Sequence, residues 1–487
     1  MTYINLPNLN NLNLDFNIIY KKDLENSINN KEHLLCNSLH NYLLILKQSI
    51  DEYYEYWDIM KKITNPYEYI HTIVPNHKFS LCKYKPLSRS FFKMIEMINT
   101  FEFLTDRNPI QTFHLAEGPG GFIEAFNYKR KNPNDIYYGM TLINDNTNIP
   151  SWKKASHILN SNKNIKIEYG SSKNGDLFLK ENLIYCNKKY AKSMDYITGD
   201  GGFDFSSDFN NQEDISFKLI LSQIFYALVM QKKGGHFVLK IFDVFKIKTI
   251  EVIYLLCNLY ENVFIFKPNT SRNANSEKYI ICRNYKNNNK RIISNIIENF
   301  DILINQVENI YSLFNIDFNQ LFITKLQEIN AIYGQQQLEN IKNTLGLIRE
   351  LKMLNMEYNL LNYNNYNGIL KYLNISNKLY LHTMDDDVIE KNGKKNPINP
   401  INPINSINSN TYELTIIEHL EFDLVDIEHV TDDSNIKCSK EFNITNKEIM
   451  VNKFFNKLNM LININMQKSI NWCKKHNFTV NKEFLSE

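Results

Sequence analysis

Five things are missing from this 487-residue chain, and each absence removes or limits a class of protein. Its 7 cysteines are scattered and odd in number, and they form no C-x-x-C pair, so neither a disulfide framework nor a structural zinc site is expected. No apolar run reaches the roughly 20 residues needed to cross a bilayer. The opening Met1-Thr2-Tyr3-Ile4-Asn5 lacks the basic and apolar stretches of a signal peptide. These features predict a soluble, intracellular protein of the cytoplasm or nucleus, with no membrane partner. The formal net charge is only +2, from 55 basic and 53 acidic residues, so the chain as a whole has no pull toward nucleic acid. Any RNA-binding surface must then be a local basic patch. No G-x-G-x-x-G fingerprint is present, which disfavours a nicotinamide dehydrogenase.

What remains is ordinary in bulk and informative in pattern. Hydrophobic residues make up 43% and charged residues 22%, as in a globular protein large enough for two or three domains. The abundance of Asn, Ile and Lys reads first as base-composition bias in the coding DNA. Residues 1–32 are polar and Asn-rich and predict little order, while Leu34, Leu35, Leu39, Leu43 and Leu44 recur at helical spacing. Strand and helix signals then alternate from about 86 to 290. Strands are expected at Gln111–Ala116, Asp135–Leu142, Ile165–Tyr169, Met194–Thr198, Gly235–Phe242, Val263–Lys267 and Lys278–Arg283. Such alternation predicts an α/β fold with a mostly parallel seven-stranded sheet and helices on both faces. The boundaries follow: an N-terminal helical extension over 1–85, an α/β domain over 86–295 and a helical region over 296–390. The tandem Asn-Pro-Ile repeat then marks a linker or inserted loop over 391–410. A mixed α+β region over 411–487 completes the chain, with strands near 411–430 and helix over 445–475.

Two short segments carry the chemistry. In His114-Leu115-Ala116-Glu117-Gly118-Pro119-Gly120-Gly121-Phe122, a buried strand breaks into a glycine turn and a helix. Glycines there let a ligand approach the backbone, and a helix N-terminus favours electron-rich groups. In Phe237-Val238-Leu239-Lys240-Ile241-Phe242, one lysine stands inside an apolar strand, where an ammonium is costly without a task. The glycine turn, Asp200 and Lys240 all fall at strand carboxyl ends, where ligands of open α/β sheets bind. A ligand-cradling turn beside a nearly buried lysine points to a cofactor enzyme that moves a proton.

The stretch from Ser88 to Arg283 resembles the FtsJ-like S-adenosylmethionine-dependent RNA ribose 2′-O-methyltransferases. It is most similar to the cap-specific mRNA branch of eukaryotes and large DNA viruses. The matching pieces are Ser88–Met94, the glycine turn, Gly139–Leu142, Asn174–Leu177, Gly199–Phe203, Gly234–Asp243 and Phe266–Tyr279, in family order over about two fifths of the chain. The resemblance implies a Rossmann-like methyltransferase fold and methyl transfer from S-adenosyl-L-methionine to a ribose 2′-hydroxyl, with no metal. It also implies a catalytic tetrad of Lys93, Asp200, Lys240 and Glu277, with Lys240 as base and Lys93 as the neighbour that depresses its basicity. The chemistry wants such a set, because a ribose hydroxyl must be aligned with the methyl donor and relieved of its proton. Simpler roles exist for each member: a snorkelling lysine, a turn aspartate, a solvated helix lysine, an exposed glutamate.

Cofactor contacts are implied for Glu117, Gly118, Pro119, Gly120, Gly121, Thr141 and Asp176, although a helix-capping role for Asp176 is an equal alternative. The chain departs from many relatives in carrying His114 and Glu117. Among the basic residues near these motifs, Lys85, Arg89 and Arg272, with Asn275, are candidate RNA contacts. The implied partners are RNA, above all capped mRNA, and the capping or transcription machinery. The family branch and the Asn-rich composition extend the expected location to a virion or viral factory. Methylation of ribosomal or transfer RNA, and a non-catalytic cap-binding subunit, are the alternative readings.

Overall fold

The computed structural model describes residues 3–10, 15–25, 34–105, 107–143, 151–202, 210–286, 290–314, 316–358 and 439–484. By packing, Met1–Leu360 with Phe454–Glu487 make one unit and Leu361–Lys453 a second, of which only the helical residues 439–453 are described. The expected Asn-Pro-Ile linker and the strands near 411–430 lie outside the described residues.

The first unit is built on one sheet. Its strands are β1 (Ile4–Leu6), β3 (Gln111–Leu115), β4 (Ile136–Met140), β5 (Ile165–Ile167), β6 (Met194–Gly199), β7 (Gln231–Ile241), β8 (Tyr260–Phe266) and β9 (Lys278–Tyr285). They lie in the order β1-β8-β9-β7-β6-β3-β4-β5. Strands β3 to β7 pair in parallel, and β9 is inserted antiparallel between β7 and β8. The seven expected strands are all present, with ends shifted by a few residues. The sheet has eight strands rather than seven, because β1 pairs antiparallel with β8 through Ile4↔Ile265 and Leu6↔Val263. This corrects the reading of residues 1–32 as unordered. Ile4 and Leu6 are buried while Tyr3 and Asn5 face out, and a three-residue alternation is too short to register as a pattern. A separate two-stranded ladder joins β2 (Ile19–Tyr20) to β10 (Ile310–Ser312).

Helices cover both faces. They are α1 (Lys21–Glu25), α2 (Asn37–Gln48), α3 (Tyr54–Thr64), α4 (Ser90–Phe101), α5 (Gly121–Arg130), α6 (Ser156–Ser161), α7 (Lys180–Tyr190), α8 (Gln212–Met230), α9 (Ile247–Leu259), α10 (Lys290–Asn305), α11 (Gln320–Tyr358) and α12 (Ser439–Lys475). Helix α8 is apolar around most of its circumference. It is buried along nearly its whole length, as a helix between the sheet and an outer layer must be. Helix α4 buries Phe91, Phe92, Met94, Ile95, Met97 and Ile98, which leaves Lys93 as a lone cation in its apolar run. The C-terminal part of α12 returns to this helix. The Trp472 indole donates to Glu96 at 3.1 Å, and its ring meets Phe92 and Phe478.

Chain order places the ligand position. From β3 the connections run outward to β4 and β5, then return to β6 on the other side of β3 and continue to β7. The carboxyl ends of β3 and β6 therefore flank the switch point of the sheet, where a crevice opens. Glu117 follows β3 and Asp200 follows β6.

Candidate active site

Register brings four distant residues to that crevice. Asp200 comes one residue after β6, whose Gly199 pairs with Leu239 of β7, so Asp200 lies beside Lys240. Strand β9 runs antiparallel to β7 with Lys240 opposite Tyr279, so Glu277, just before β9, stands next to the end of β7. Lys93 enters from the first turn of α4. The contacts form two pairs. The Lys93 Nζ is 2.6 Å from Glu277 Oε1, and the Lys240 Nζ is 3.4 Å from Asp200 Oδ1 while donating to the Asp200 carbonyl at 2.8 Å. Side-chain exposures of 9 to 13% leave all four reachable from the crevice yet mostly dry. Two neutral donors finish the cluster: the Tyr279 hydroxyl to Asp200 Oδ1 at 2.8 Å and the Ser271 hydroxyl to Glu277 Oε1 at 2.7 Å.

The electrostatics follow from burial and pairing. Burial lowers the Lys93 ammonium from its ordinary value; Glu277 and Asp200 oppose that shift and Lys240 adds to it. Burial alone would raise the Glu277 carboxyl. The nearby charges of Lys93 and Lys240, with the hydrogen bonds from Lys93 and Ser271, hold it far below the carboxylate range instead. The set thus comprises two amino groups and two carboxyl groups, arranged as two pairs.

The glycine turn lies on the β3 side. Gly120 takes φ +108° as it caps α5, a conformation that side chains resist. Glu117 is buried and aimed back under the turn, its Oε1 accepting the Phe122 N–H of the α5 N-terminus at 2.5 Å. Its Oε2 is buried with no hydrogen-bond partner among the described residues. Burial first, and the Asp200 charge second, push this carboxyl well above the ordinary range, against the opposing hydrogen bonds from the Phe122 and Ile123 N–H groups. Thr141 is buried at the end of β4, against the loop that carries Gly175. Asp176 accepts the Phe178 N–H at 2.8 Å within the turn before α7 and is half-buried; the N-cap of α7 is Leu179, so Asp176 is not the helix cap that was the alternative. An orphaned carboxyl oxygen and the N-terminus of α5 thus meet at this turn.

One glycine behaves differently from the sequence reading. The methylene of Gly121 is not an open surface: an added Cβ would overlap the hydroxyls of Ser88 and Ser90 and come within 3.1 Å of the Phe91 nitrogen. Gly121 serves the close packing of α5 on the start of α4, the helix that carries Lys93. Gly121→Ala is therefore expected to cost about 1–3 kcal/mol through overpacking and to lower the unfolding temperature, which a thermal melt beside the wild type checks.

The candidate RNA contacts are placed unevenly. Arg89 donates to the Thr270 carbonyl and lies 3.6 Å from Glu68, and Arg272 grips Glu68 through two bonds of 3.0 and 2.7 Å. Both guanidiniums are thus committed inside the protein, although Arg272 keeps 30% exposure. Lys85 is bonded to Ser80, and the Asn275 Oδ1 accepts the Glu277 N–H at 3.1 Å. Sequence reasoning missed Glu68 and Glu96, the two buried acids that order this side. Glu96 accepts from the backbone of Asn269 and Thr270. For Glu96 the available signal was an acid inside an apolar helical run, Met94-Ile95-Glu96-Met97; Glu68, after Asn65-Pro66-Tyr67, carried none. A cleft of about 510 Å³ was missed as well. It is lined by Trp57 and Lys61 of α3, with Lys47, Arg272, Asn275 and Gln337.

Comparison with known proteins closes the description. Residues 86–285 match the FtsJ-like methyltransferase family. The chain is 28% identical over 302 residues to cap-specific mRNA (nucleoside-2'-O-)-methyltransferase 2 of Danio rerio, covering 56% of this chain and 38% of the relative. It is 32% identical over 216 residues to the cap-specific mRNA (nucleoside-2'-O-)-methyltransferase of Autographa californica nuclear polyhedrosis virus, covering 42% of this chain and 78% of the relative. An inactive cap-specific mRNA (nucleoside-2'-O-)-methyltransferase 1B of Caenorhabditis briggsae is 25% identical over 292 residues, with 52% and 34% covered. The chain thus spans well under half of these two animal relatives.

Proposed function

Because the chain belongs to the FtsJ-like methyltransferase family, we propose that it methylates a ribose 2′-hydroxyl of RNA, at the first transcribed nucleotides of capped mRNA. The observation that supports this most is the meeting of Lys93, Asp200, Lys240 and Glu277 at the switch point, in two ion pairs drawn from four separate elements. The methyl donor is S-adenosyl-L-methionine, held by the turn at Gly118–Gly121 with Glu117, Thr141 and Asp176; when bound it supplies an already activated methyl. No group of metal-ligating side chains occurs among the described residues.

In this reading the protein aligns and deprotonates. Lys240, on a rigid strand and tied to Asp200, takes the proton of the 2′-hydroxyl. Lys93, fixed by Glu277, touches the same oxygen and disfavours a second positive charge beside it. Glu117 presents its unpartnered Oε2 under the turn, where a polar group of the methyl donor can reach it. The cleft beside the Glu277 loop is lined by the Trp57 indole and by Lys61, with Lys47 and Arg272 already paired to Asp243 and Glu68, and its rim is where an RNA 5′ end would lie in this reading.

The test is methyl transfer from radiolabelled S-adenosyl-L-methionine to matched capped and uncapped transcripts. Transfer to the capped RNA at least about tenfold above the uncapped one is expected, since losing the contacts of one bound base costs on the order of 1–3 kcal/mol. Equal transfer to both would move the substrate to ribosomal or transfer RNA. No transfer to any RNA would leave a non-catalytic subunit.

A further inference from the structure

Behind the tetrad lies a second pair of lysines to which nothing above assigns a role. Lys267 directly follows β8 and Lys278 begins β9, so they bracket the loop that carries Glu277. Both are buried, with 8% and 4% exposure, where an ammonium is costly. Neither forms a salt bridge among the described residues. The Lys267 Nζ donates to the backbone carbonyls of Asn275 and of Glu277, the latter at 2.8 Å. The Lys278 Nζ donates to the carbonyl of Ser276 at 2.9 Å and to that of Phe242, two residues beyond Lys240. Three successive carbonyls, 275 to 277, are therefore each held by a buried lysine. The loop has side-chain anchors too: Gln337 donates to the Ala274 carbonyl and the Ser276 hydroxyl to Gln212.

We propose that Lys267 and Lys278 are positioning residues, which hold the backbone of Asn275–Glu277 by its carbonyls and so fix the Glu277 carboxylate against Lys93. The proposal rests on the active-site reading above. Carbonyls that point into a dry interior must be paired, and a loop whose carbonyls are unpaired moves to reach water. A carboxylate on such a loop no longer stays 2.6 Å from its ammonium. Burial, then the neighbouring ammonium of Lys278, lowers Lys267 to about 7, and burial lowers Lys278 to about 8. The clamp survives either state, because a neutral amine still has two N–H groups for two carbonyls. The other charged groups that act on these two lysines are Glu277, Lys93, Asp243, Glu213 and Lys47.

The experiment compares Lys267→Met and Lys278→Met with Glu277→Gln, alone and combined, in the full chain. Lys248→Met, the loss of a buried lysine of α9 paired to Asp214, is the control for simple destabilisation. Methyl transfer is followed across pH 6 to 9 together with thermal unfolding. The clamp predicts kcat about tenfold lower, KM for S-adenosyl-L-methionine within about threefold, and an acid limb of the rate profile moved to lower pH as in Glu277→Gln. That direction follows because a carboxylate withdrawn from two ammoniums favours their neutral forms. In the Glu277→Gln background, Lys267→Met should add less than about twofold, since both act through one group. Lys278→Gln, which keeps one donor, carries the same readout if Lys278→Met does not fold. A limb that stays where it is in the wild type, or full additivity with Glu277→Gln, overturns the clamp. A wild-type protein that transfers no methyl group overturns the active-site reading instead.

Discussion

Lys240→Met is expected to lower kcat for methyl transfer by about 10³-fold, within the 10²–10⁴ that a general base contributes, while the protein stays folded. Methionine matches the lysine stem in length and suits the apolar end of β7, so packing is kept and only the ammonium is lost. Asp200 retains the Tyr279 hydroxyl as a partner and does not become an orphaned buried charge. KM for the methyl donor should change little, because Lys240 faces Asp200 rather than the glycine turn. Single-turnover transfer of a radiolabelled methyl group, with circular dichroism as the folding control, decides the matter. Wild-type rates would remove Lys240 as the base and shift that role to Lys93, whose ammonium burial already weakens.

The largest effect on stability is expected from Glu68→Ala, at about 3 kcal/mol, the lower end of the range for breaking a buried ion pair. The carboxylate is fully buried and serves Arg272, Arg89, Asn65 and Thr72. Its removal leaves two guanidiniums facing each other without a counterion. The discount within that range reflects the 20 and 30% exposure of Arg89 and Arg272, through which water screens part of the loss. The pH dependence has a definite sign. Burial would raise the Glu68 carboxyl, but Arg272 and Arg89 hold it well below its usual value. Its contribution is thus complete above the unfolded value near 4.5 and fades as pH falls toward the folded one. The stability gap between wild type and Glu68→Ala should be constant from pH 8 to 5 and shrink below about 4.5, as denaturant melts at each pH will show. A gap that widens with acid would mean that the arginines do not hold the carboxylate.

These two predictions rest on different kinds of legibility. Lys240 could be named from the chain, since a single lysine in Phe237–Phe242 violates the apolar rule of a buried strand. The parallel strands were readable for the same reason: buried on both faces, they appear as short apolar runs between turns. Glu68 was not readable, because an acid that follows Asn-Pro looks like surface until its two arginines, 21 and 204 positions away, are seen to close on it. The same holds for Trp472, which seals Glu96 from a helix that local periodicity could propose but not place.

Local composition therefore determined what could be settled within a turn or a strand: the alternation of elements, the glycine turn at the end of β3, and one lysine out of place in an apolar strand, whereas Lys93, Asp200 and Glu277 were named as a set with it only through the family resemblance. Tertiary structure decided what those residues touch. It added the eighth strand, turned Gly121 from a ligand-facing glycine into a packing contact, and committed Arg89 and Arg272 to an internal acid. It also paired Lys93 with Glu277 and Lys240 with Asp200. The division has one physical cause. Backbone preference and burial period act over a few residues, whereas the partner of a buried charge is chosen by desolvation, which depends on whatever distant segment arrives to exclude the water.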